Sequence, residues 1–434
     1  MIKKIKFKIL TLGCKVNQYD SAVLANLLNK SGFVNIKSDK SKVDLIIINS
    51  CSVTTTAISK DRRLISISKK KYPQAKIALI GCWPKIYNIK NLNVDLISGD
   101  KDQIKNLEAI KKLFVLDKKK ISKKDFPSCF LNIIEDRSRY FIKVQDGCQQ
   151  FCSYCVIPFA RGPLKSRLVN EILKEISLAT KNGFKEIVLS GIHLGLYGQD
   201  FSSSKENLYS LLKKILDIKN IGRIRLSSIE INEVSDDIIN LIATNNKMCR
   251  HLHISLQSGS DKILKLMNRP YNTNYFNKRI KKLRKEIPDI AISTDIIVGF
   301  PGETKKDFKD TYNFAKKIAF SKIHVFSFSA HEQAPASRFL GQVNKNDIKE
   351  RSLALRQLSK KLENDYRYRI LKNNKILKVL IENIDQGKIK AKTEFYFDLD
   401  IDLDDFLSFY SKKLITNTTG LIGQIVDYKQ ITAK

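Results

Sequence analysis

The chain has 434 residues, 43% of them hydrophobic, and carries a formal net charge of +34 at pH 7. This length predicts two or three domains with sizeable cores. No apolar run approaches the roughly 18 residues of a transmembrane helix, so we expect no membrane association. The charge favours a polyanionic partner such as nucleic acid, although a solvated lysine surface is an ordinary alternative explanation.

The first residues of the chain, Met1 to Lys8, include several lysines but lack the apolar core and cleavage site of a secretory signal peptide. We therefore expect a cytoplasmic protein. In that compartment the eight cysteines stay reduced and are available as metal ligands.

Residues 1–125 alternate short apolar runs with helical patterns. Apolar runs that are separated by crossover helices are typical of buried parallel strands. This segment is therefore predicted to form an open parallel α/β sheet. The predicted strands are Ile5–Leu12, Val43–Asn49 and Ile77–Ile80, and the predicted helices are Ser21–Ser31 and Thr55–Lys71.

Three cysteines follow these three strands: Cys14, Cys51 and Cys82. The carboxyl ends of parallel strands meet at one edge of an open sheet, where ligands bind. We expect the three thiols to converge there and to hold an iron–sulfur cluster. The alternative is that each is a small buried residue at a strand end, which is how we interpret Cys129 and Cys249.

A second set of cysteines, Cys148, Cys152 and Cys155, has the spacing C-x3-C-x2-C. Three thiolates at this spacing can hold three irons of a [4Fe–4S] cluster and leave the fourth iron open to a small molecule. A zinc site usually needs a fourth Cys or His with its own partner spacing, and none lies nearby in the sequence. Zinc or structural thiols remain the alternatives.

Residues 136–370 contain six units in which a strand is followed by a helix. Eight such units close a barrel, so six predict an open, partial (β/α)6 barrel whose gap admits a macromolecular substrate. The predicted strands are Tyr140–Val144, Glu186–Ser190, Arg223–Ser228, His251–Leu256, Ala291–Val298 and Lys322–Phe328.

Glycines and polar residues follow these strands, among them Gly191, Glu230 and Gln257. Chemistry in barrels of this kind takes place at the carboxyl ends of the strands. The glycine allows close approach of a ligand, and the polar side chains can bond its polar groups, with ordinary loop capping as the alternative. The histidines of this region are interpreted as packing or locally bonded residues; they are His193, His253, His324 and His331.

Residues 372–434 alternate like short strands, at Ile376–Glu382, Lys388–Phe397 and Leu421–Ile431. The length fits a small five-stranded barrel, a fold that often binds single-stranded RNA. The acidic run Asp398–Asp405 argues against a uniformly basic binding face, and we expect it to form a solvated edge or loop.

Longer motifs around these residues match one known pattern. They resemble the radical S-adenosylmethionine (SAM) methylthiotransferases over essentially the whole chain, including a C-terminal TRAM-like domain. The matching motifs are Cys14-Lys-Val-Asn-Gln, Ser50-Cys-Ser, Ile80-Gly-Cys, Gln145-Asp-Gly-Cys-Gln-Gln-Phe-Cys-Ser-Tyr-Cys, Phe159-Ala-Arg-Gly, Ser255-Leu-Gln-Ser-Gly-Ser, Met267-Asn-Arg-Pro-Tyr and Asp295-Ile-Ile-Val-Gly-Phe-Pro-Gly-Glu-Thr.

The resemblance implies two [4Fe–4S] clusters and SAM as cofactors. A radical cluster on Cys148, Cys152 and Cys155 would bind SAM and cleave it to a 5′-deoxyadenosyl radical, and an auxiliary cluster on Cys14, Cys51 and Cys82 would hold the sulfur. The resemblance also implies a tRNA anticodon stem-loop as substrate, an electron donor such as flavodoxin or ferredoxin, and a monomer. The implied SAM pocket comprises Tyr154, Gly191, Glu230 and Gln257.

Lys15-Val16-Asn17, together with Gln-Asp-Gly before Cys148, is most similar to the class of the family that modifies N6-threonylcarbamoyladenosine at tRNA position 37. Two other classes remain open. One modifies N6-isopentenyladenosine-37 and usually has Gln-Met-Asn after the first cysteine, and the other modifies an aspartate of ribosomal protein S12 and has Pro-Lys-Asn. A non-enzymatic iron–sulfur protein that binds RNA or senses redox state is a further alternative, which the complete set of strand-end residues disfavours.

Overall fold

The structure is a computed structural model that describes residues 4–36, 42–89, 92–115, 138–203, 205–374, 376–409 and 418–429. The chain forms two compact units, the first from residues 1–136, 146–165 and 329–337, the second from 137–145, 166–328 and 338–434. Cys129 and the first three residues of the chain lie outside the described ranges.

The first unit is built on a parallel sheet, as its apolar runs predicted. Its strands are β1 (Lys6–Thr11), β2 (Val34–Asn35), β3 (Leu45–Ser50), β4 (Lys76–Gly81) and β5 (Leu96–Ser98). Its helices are α1 (Lys15–Lys30), α2 (Thr55–Lys71), α3 (Cys82–Ile86) and α4 (Gln103–Leu113). The strand order is β2–β1–β3–β4–β5, and all four pairings are parallel.

The centre of this sheet is its core. Every residue of β3 is buried, as expected for a central strand of a parallel sheet. Ile46 and Ile48 of β3 pack in one cluster with Ile65 of α2 and Trp83 of α3. Helix α2 begins where the Thr54 hydroxyl accepts a hydrogen bond from the Ala57 amide at 3.1 Å.

The second unit contains the strand-then-helix repeats. Its first strand is β6 (Arg139–Lys143). The chain then enters the first unit at β7 (Gln145–Asp146), runs through α5 (Ile157–Arg161) there, and returns to the second unit at β8 (Lys165–Ser166). The later strands are β9 (Glu186–Ser190), β10 (Arg223–Leu226), β11 (Ser228–Ile229), β12 (His251–Ile254), β13 (Ala291–Val298) and β14 (Lys322–Ser327). The helices are α6 (Val169–Lys181), α7 (Leu208–Leu216), α8 (Asp236–Thr244), α9 (Asp261–Leu266), α10 (Thr273–Glu286), α11 (Lys305–Ile318) and α12 (Lys345–Asn373). None of the helices in the described ranges is long and apolar enough to cross a membrane.

Six strands were expected here, and the third of them is divided in two. β10 pairs with β9 in a parallel sheet of order β10–β9–β6, whereas β11 pairs with β12 in a parallel sheet of order β11–β12–β13–β14. The change of partner occurs at Ser227, whose amide still donates to the Leu189 carbonyl at 2.9 Å. The repeats therefore form an α/β fold with two parallel sheets.

The C-terminal residues form an antiparallel sheet. Its elements are β15 (Ile376–Asp385), β16 (Lys388–Thr393), β17 (Asp398–Asp402), α13 (Leu403–Phe409) and β18 (Ile425–Lys429), and the strand order is β17–β16–β15–β18. The described residues thus contribute four strands and a helix, whereas a five-stranded barrel was expected. Residues 410–417 and 430–434 are not described, so the closed barrel stays a prediction.

The first five residues of the acidic run form the edge strand β17, as the sequence predicted, whereas Asp404 and Asp405 lie in the first turn of helix α13. Asp398, Asp400 and Asp402 are exposed, while Leu399 and Ile401 between them are buried. Charged side chains on an edge strand discourage pairing with the edge of another sheet.

Two arginines of β10 hold this C-terminal sheet through backbone carbonyls. Arg223 donates to the Lys378 carbonyl at 3.0 Å, and Arg225 donates to the Thr393 carbonyl at 3.0 Å. Both guanidinium groups pair with the fully buried Glu186. Burial alone would raise the pKa of Glu186, but Arg225 and Arg223 outweigh it and hold that pKa well below its usual range.

Candidate metal and cofactor site

Both sets of cysteines lie in the first compact unit, because residues 146–165 group with the N-terminal sheet. All seven cysteines in the described part of the chain are thiols rather than disulfides. The structure therefore contains two groups of three thiols, which are built in different ways.

The first set occupies the ends of three neighbouring strands. Cys14 follows β1 and begins α1, Cys51 follows β3 directly, and Cys82 is the first residue after β4. The order β1–β3–β4 in the sheet brings these ends side by side. The predicted placement at one sheet edge is therefore what the structure shows.

The three thiols are close enough to affect one another's charge. Burial raises the pKa of Cys51 to about 12, and the Cys82 and Cys14 thiols contribute to the rise. Burial likewise raises the pKa of Cys82, with Cys14 contributing and Arg161 opposing. A thiol must lose its proton to bind iron, so metal binding at this set would release protons against these raised pKa values.

Glycine is required beside this set. A Cβ on Gly13, whose φ is +100°, would lie 3.0 Å from the Cys51 Sγ. A Cβ on Gly81 would lie 2.5 Å from the Asn49 Oδ1. Each thiolate of a [4Fe–4S] cluster binds a different iron, so its ligands surround a larger space than those of one ion. Within the described ranges, no group of three Cys, His, Asp or Glu side chains is placed to hold a metal ion.

The buried side-chain amide of Asn17 lies beside the first set. The Asn17 side chain donates to the Leu12 carbonyl at 3.0 Å and to the Ser50 carbonyl at 2.9 Å. Asn49 in turn donates to the Asn17 carbonyl at 3.0 Å. Leu12 and Ser50 lie just before two of the cysteines, so these bonds fix the two loops relative to each other.

The second set lies within one loop. The Cys155 amide donates to the Cys152 carbonyl at 3.0 Å, and the Gln150 amide donates to the Cys148 Sγ at 3.4 Å. An N–H group directed at a ligating sulfur is one means of setting the reduction potential of a cluster. A Cβ on Gly147, whose φ is +75°, would lie 1.9 Å from the Pro163 carbonyl oxygen, so only glycine fits there.

The four residues expected around SAM are divided between the two units. Tyr154 lies half-buried in the cysteine loop of the first unit. Gly191, Glu230 and Gln257 follow β9, β11 and β12 in the second unit, as predicted. Their contact with SAM stays a prediction.

The lack of a side chain at Gly191 leaves room for Gln145, which was not among the predicted site residues. A Cβ at this position would lie 2.8 Å from the Oε1 of Gln145. Gln145 is fully buried, and this oxygen accepts a hydrogen bond from the His193 amide at 2.8 Å. The His193 ring in turn pairs with Glu233, three residues after Glu230.

Glu230 and Gln257 are linked through a second pair of residues. The Glu230 carboxylate pairs with Arg269, whose Nε donates to the Tyr271 hydroxyl at 3.1 Å. That hydroxyl donates to the Ser255 carbonyl at 2.6 Å, two residues before Gln257. The loops after β11 and β12 are therefore joined. Arg269 and Tyr271 lie in the quoted motif Met267-Asn-Arg-Pro-Tyr, which was the available signal for them.

His193, His253 and His331 hydrogen-bond to other side chains, and the His324 ring packs 5.5 Å from the His253 ring. His253 pairs with Asp295 at 3.1 Å and shares Ser293 with His251 at 3.0 Å. His331 contacts the Tyr87 hydroxyl at 2.6 Å.

Two family models match the chain. The model described as "Radical SAM superfamily" matches residues 142–315, from β6 into α11. The model described as "Uncharacterized protein family UPF0004" matches residues 6–99, which span the first sheet.

The chain is similar to several curated proteins over nearly its whole length. Threonylcarbamoyladenosine tRNA methylthiotransferase MtaB of Thermotoga maritima is 39% identical over 395 residues, which cover 90% of this chain and 89% of that protein. The protein of the same name from Bacillus subtilis is 34% identical and covers 98% and 93%. The tRNA-2-methylthio-N(6)-dimethylallyladenosine synthase of Endomicrobium trichonymphae is 36% identical and covers 90% and 92%.

A solved structure shares the fold. The radical S-adenosylmethionine methyltransferase TsrM from Kitasatospora setae superimposes with a TM-score of 0.56, covers 77% of each chain and is 14% identical. At this identity the likeness concerns the fold alone.

Proposed function

Because the chain belongs to the radical SAM methylthiotransferase family, we propose that it adds a methylthio group to C2 of N6-threonylcarbamoyladenosine at position 37 of tRNA. The protein is an enzyme that transfers a sulfur-containing group, and its cofactors are SAM and [4Fe–4S] clusters. The observation that carries the choice of substrate is the 39% identity, over 90% of the chain, to a protein named for threonylcarbamoyladenosine.

A second candidate substrate is N6-isopentenyladenosine-37 of tRNA. It is favoured by the 36% identity to a dimethylallyladenosine synthase, which is close to that of the threonylcarbamoyladenosine relatives. Lys15 and Val16 support the first candidate, since they depart from the Gln-Met of the isopentenyl class. The class that modifies an aspartate of ribosomal protein S12 has Pro-Lys at these two positions, so Lys15 and Val16 also disfavour that substrate.

We assign the metal ligands by the two sets of cysteines. Cys148, Cys152 and Cys155 would hold the cluster that binds SAM, and the set at the sheet edge would hold an auxiliary cluster. The cluster on the loop cysteines would supply, once SAM is bound, the radical that C2 of an adenine requires, because polar chemistry cannot activate its C–H bond. The convergence of the strand-end thiols, of which Cys51 and Cys82 are buried and Cys14 is exposed, supports the auxiliary assignment.

The residues of the second unit would orient SAM. Glu230 can accept hydrogen bonds from ribose hydroxyls while Arg269 fixes the position of its carboxylate. Gln257 adopts a φ of +70°, and its amide donates to the Asp295 carbonyl at 2.8 Å, which fixes the backbone at that strand end. Gly191 would allow close approach, and Tyr154 would line the adenine side of the pocket.

The remaining parts of the proposal concern domains and partners. Residues 1–125 would form the methylthiotransferase domain, 136–370 the radical SAM core, and 372–434 a TRAM-like barrel that holds the anticodon stem-loop, mostly through phosphates. A flavodoxin or ferredoxin would donate electrons to a cytoplasmic monomer. The charge of +34 supports the RNA contact.

Mass analysis of tRNA nucleosides from cells with and without this protein tests the substrate. We expect methylthio-threonylcarbamoyladenosine only when the protein is present. Methylthio-isopentenyladenosine in its place would move the assignment to the second candidate. If neither nucleoside depends on the protein, the tRNA proposal is wrong.

A further inference from the structure

Arg161 is the last residue of α5, six residues after the last cysteine of the loop, and its side chain is 4% exposed. The side chain returns to the N-terminal sheet: it donates to the Asp20 carboxylate at 2.8 Å and also to the side-chain oxygen of Asn17. It donates at 3.2 Å to Asp146, two residues before Cys148. One guanidinium group therefore binds residues beside both sets of cysteines.

The charge of this group acts on the first set. Burial would lower the pKa of the guanidinium, but Asp20 and the Cys82 thiol outweigh it and hold that pKa well above its usual range. Cys14 contributes in the same sense. The Cys82 Sγ lies 3.8 Å from the Asn17 oxygen that also accepts from Arg161.

Arg161 is also fixed through its backbone. The Lys101 ammonium donates to the Arg161 carbonyl at 2.8 Å. Both residues line a small cavity together with Asp20, Asn49 and Cys82. The buried Nε of Arg161 lacks a hydrogen-bond partner among the described residues, which is unusual for a buried donor. The geometry leaves a donor and a positive charge beside the sheet-edge cysteines.

We propose that Arg161 is a positioning residue that fixes the loop of Cys148, Cys152 and Cys155 to the sheet edge and sets the reduction potential of the cluster on Cys14, Cys51 and Cys82. The proposal rests on the assignment of the auxiliary cluster made above. A nearby positive charge favours addition of an electron to a cluster, and a nearby negative charge opposes it.

The test measures the reduction potential of the auxiliary cluster by spectroscopically monitored redox titration. It uses the full-length chain in which all three loop cysteines are replaced by alanine, so that one cluster is observed. We expect Arg161→Gln to shift the potential to a more negative value and Asp20→Asn to shift it to a more positive value. Arg161→Lys, which keeps the charge, should restore most of the wild-type potential.

Arg63→Gln is the matched control, because it removes one positive charge from an exposed position in the same unit and should leave the potential unchanged. A purely structural role of Arg161 would not produce shifts of opposite sign. Unchanged potentials in both the Arg161→Gln and Asp20→Asn variants, or shifts in the same direction, would overturn the proposal.

Iron content separates this proposal from the one on which it rests. If the chain without loop cysteines binds no cluster, the auxiliary assignment fails and the role of Arg161 fails with it. If it binds about four irons and the potentials do not move, only the role of Arg161 is wrong. If Arg161→Gln alone loses its iron, the test passes to Asp20→Asn. A shift of its potential to a more positive value supports the proposal, and an unchanged or more negative potential overturns it.

Discussion

The two sets of cysteines reach similar groupings by opposite means. Cys148, Cys152 and Cys155 lie within eight residues, and their arrangement depends on the turns of one loop. Cys14, Cys51 and Cys82 come together only because three strands pair in parallel. The loop set can therefore fail locally, whereas the sheet-edge set depends on the folding of the whole first sheet.

Replacing one cysteine of each set by alanine should have the largest effect and should separate the chemical roles of the two sets. We expect Cys148→Ala to lower 5′-deoxyadenosine formation to the background rate, because a ligand of the SAM-binding cluster is lost. Cys14→Ala should still form 5′-deoxyadenosine but give no methylthio product. Chromatography of the SAM products and mass analysis of the tRNA measure both. Normal methylthio product from Cys14→Ala would break the division of roles.

Glycine substitutions should separate the two sets structurally. Gly147→Ala places a methyl group 1.9 Å from the Pro163 carbonyl oxygen, so we expect it to remove the irons of the loop and keep those of the sheet edge. Gly81→Ala should do the reverse, because its methyl group would lie 2.5 Å from Asn49. Iron per chain should fall from about eight to about four in each variant.

The control for both is Gly32→Ala. Its φ of +89° is also positive, but no atom lies within 4 Å of the added carbon. It should cost about 1 kcal/mol of stability and keep both sets of irons. Equal iron loss in all three variants would show that strain alone, rather than contact, governs loading.

Asn17→Ala should weaken the sheet-edge set most. It removes the donors to the Leu12 and Ser50 carbonyls, and a buried group left unsatisfied costs about 1–3 kcal/mol. Chemical denaturation of the metal-free protein measures this loss. Asn29→Ala, in the same helix but less buried, is the matched control and should change stability by less than about 0.5 kcal/mol. A similar loss in both variants would show that the amide does not hold the loops.

The smallest effect concerns pH in the metal-free protein. The pKa of Cys51 is raised from 9.0 to about 12, chiefly by burial, so the folded state favours the thiol. The resulting stability is fully present below pH 9 and is lost as pH rises toward 12. Between pH 8 and pH 10 the free energy of unfolding should fall by about 1 kcal/mol more in the wild type than in Cys51→Ala. Equal slopes would show that Cys51 is not responsible.

Much of the sheet-edge set could be predicted because apolar runs give strands and parallel strands align their ends. Nothing in the run Arg223-Ile-Arg-Leu-Ser-Ser-Ile marks Ser227 as the point where pairing changes from β9 to β12, because that choice depends on neighbours distant in sequence. Helix α13 was not predicted, because its first residues were interpreted only as part of an acidic run. Asp402 caps this helix: its side chain accepts a hydrogen bond from the Asp404 amide at 3.0 Å.

The structure also explains the roles of residues that the motifs alone do not explain. Asn17 is common to the three class patterns, and its buried bonds to two loops give a physical reason that does not depend on substrate. The ion pair between Arg161 and Asp20 joins residues 141 positions apart, so no local pattern could reveal it. Discrimination between substrates must therefore come from other residues.

The hydrogen bonds from β10 to the C-terminal sheet limit where this chain can be cut or fused to another protein. A chain cut after residue 374 would leave the guanidinium groups of Arg223 and Arg225 without their carbonyl acceptors. It would also uncover the apolar residues of α12 that pack on that sheet, Tyr366 and Ile370. The last sixty residues are thus a poor candidate for transplantation to another enzyme, and a shortened protein should be judged first by its solubility.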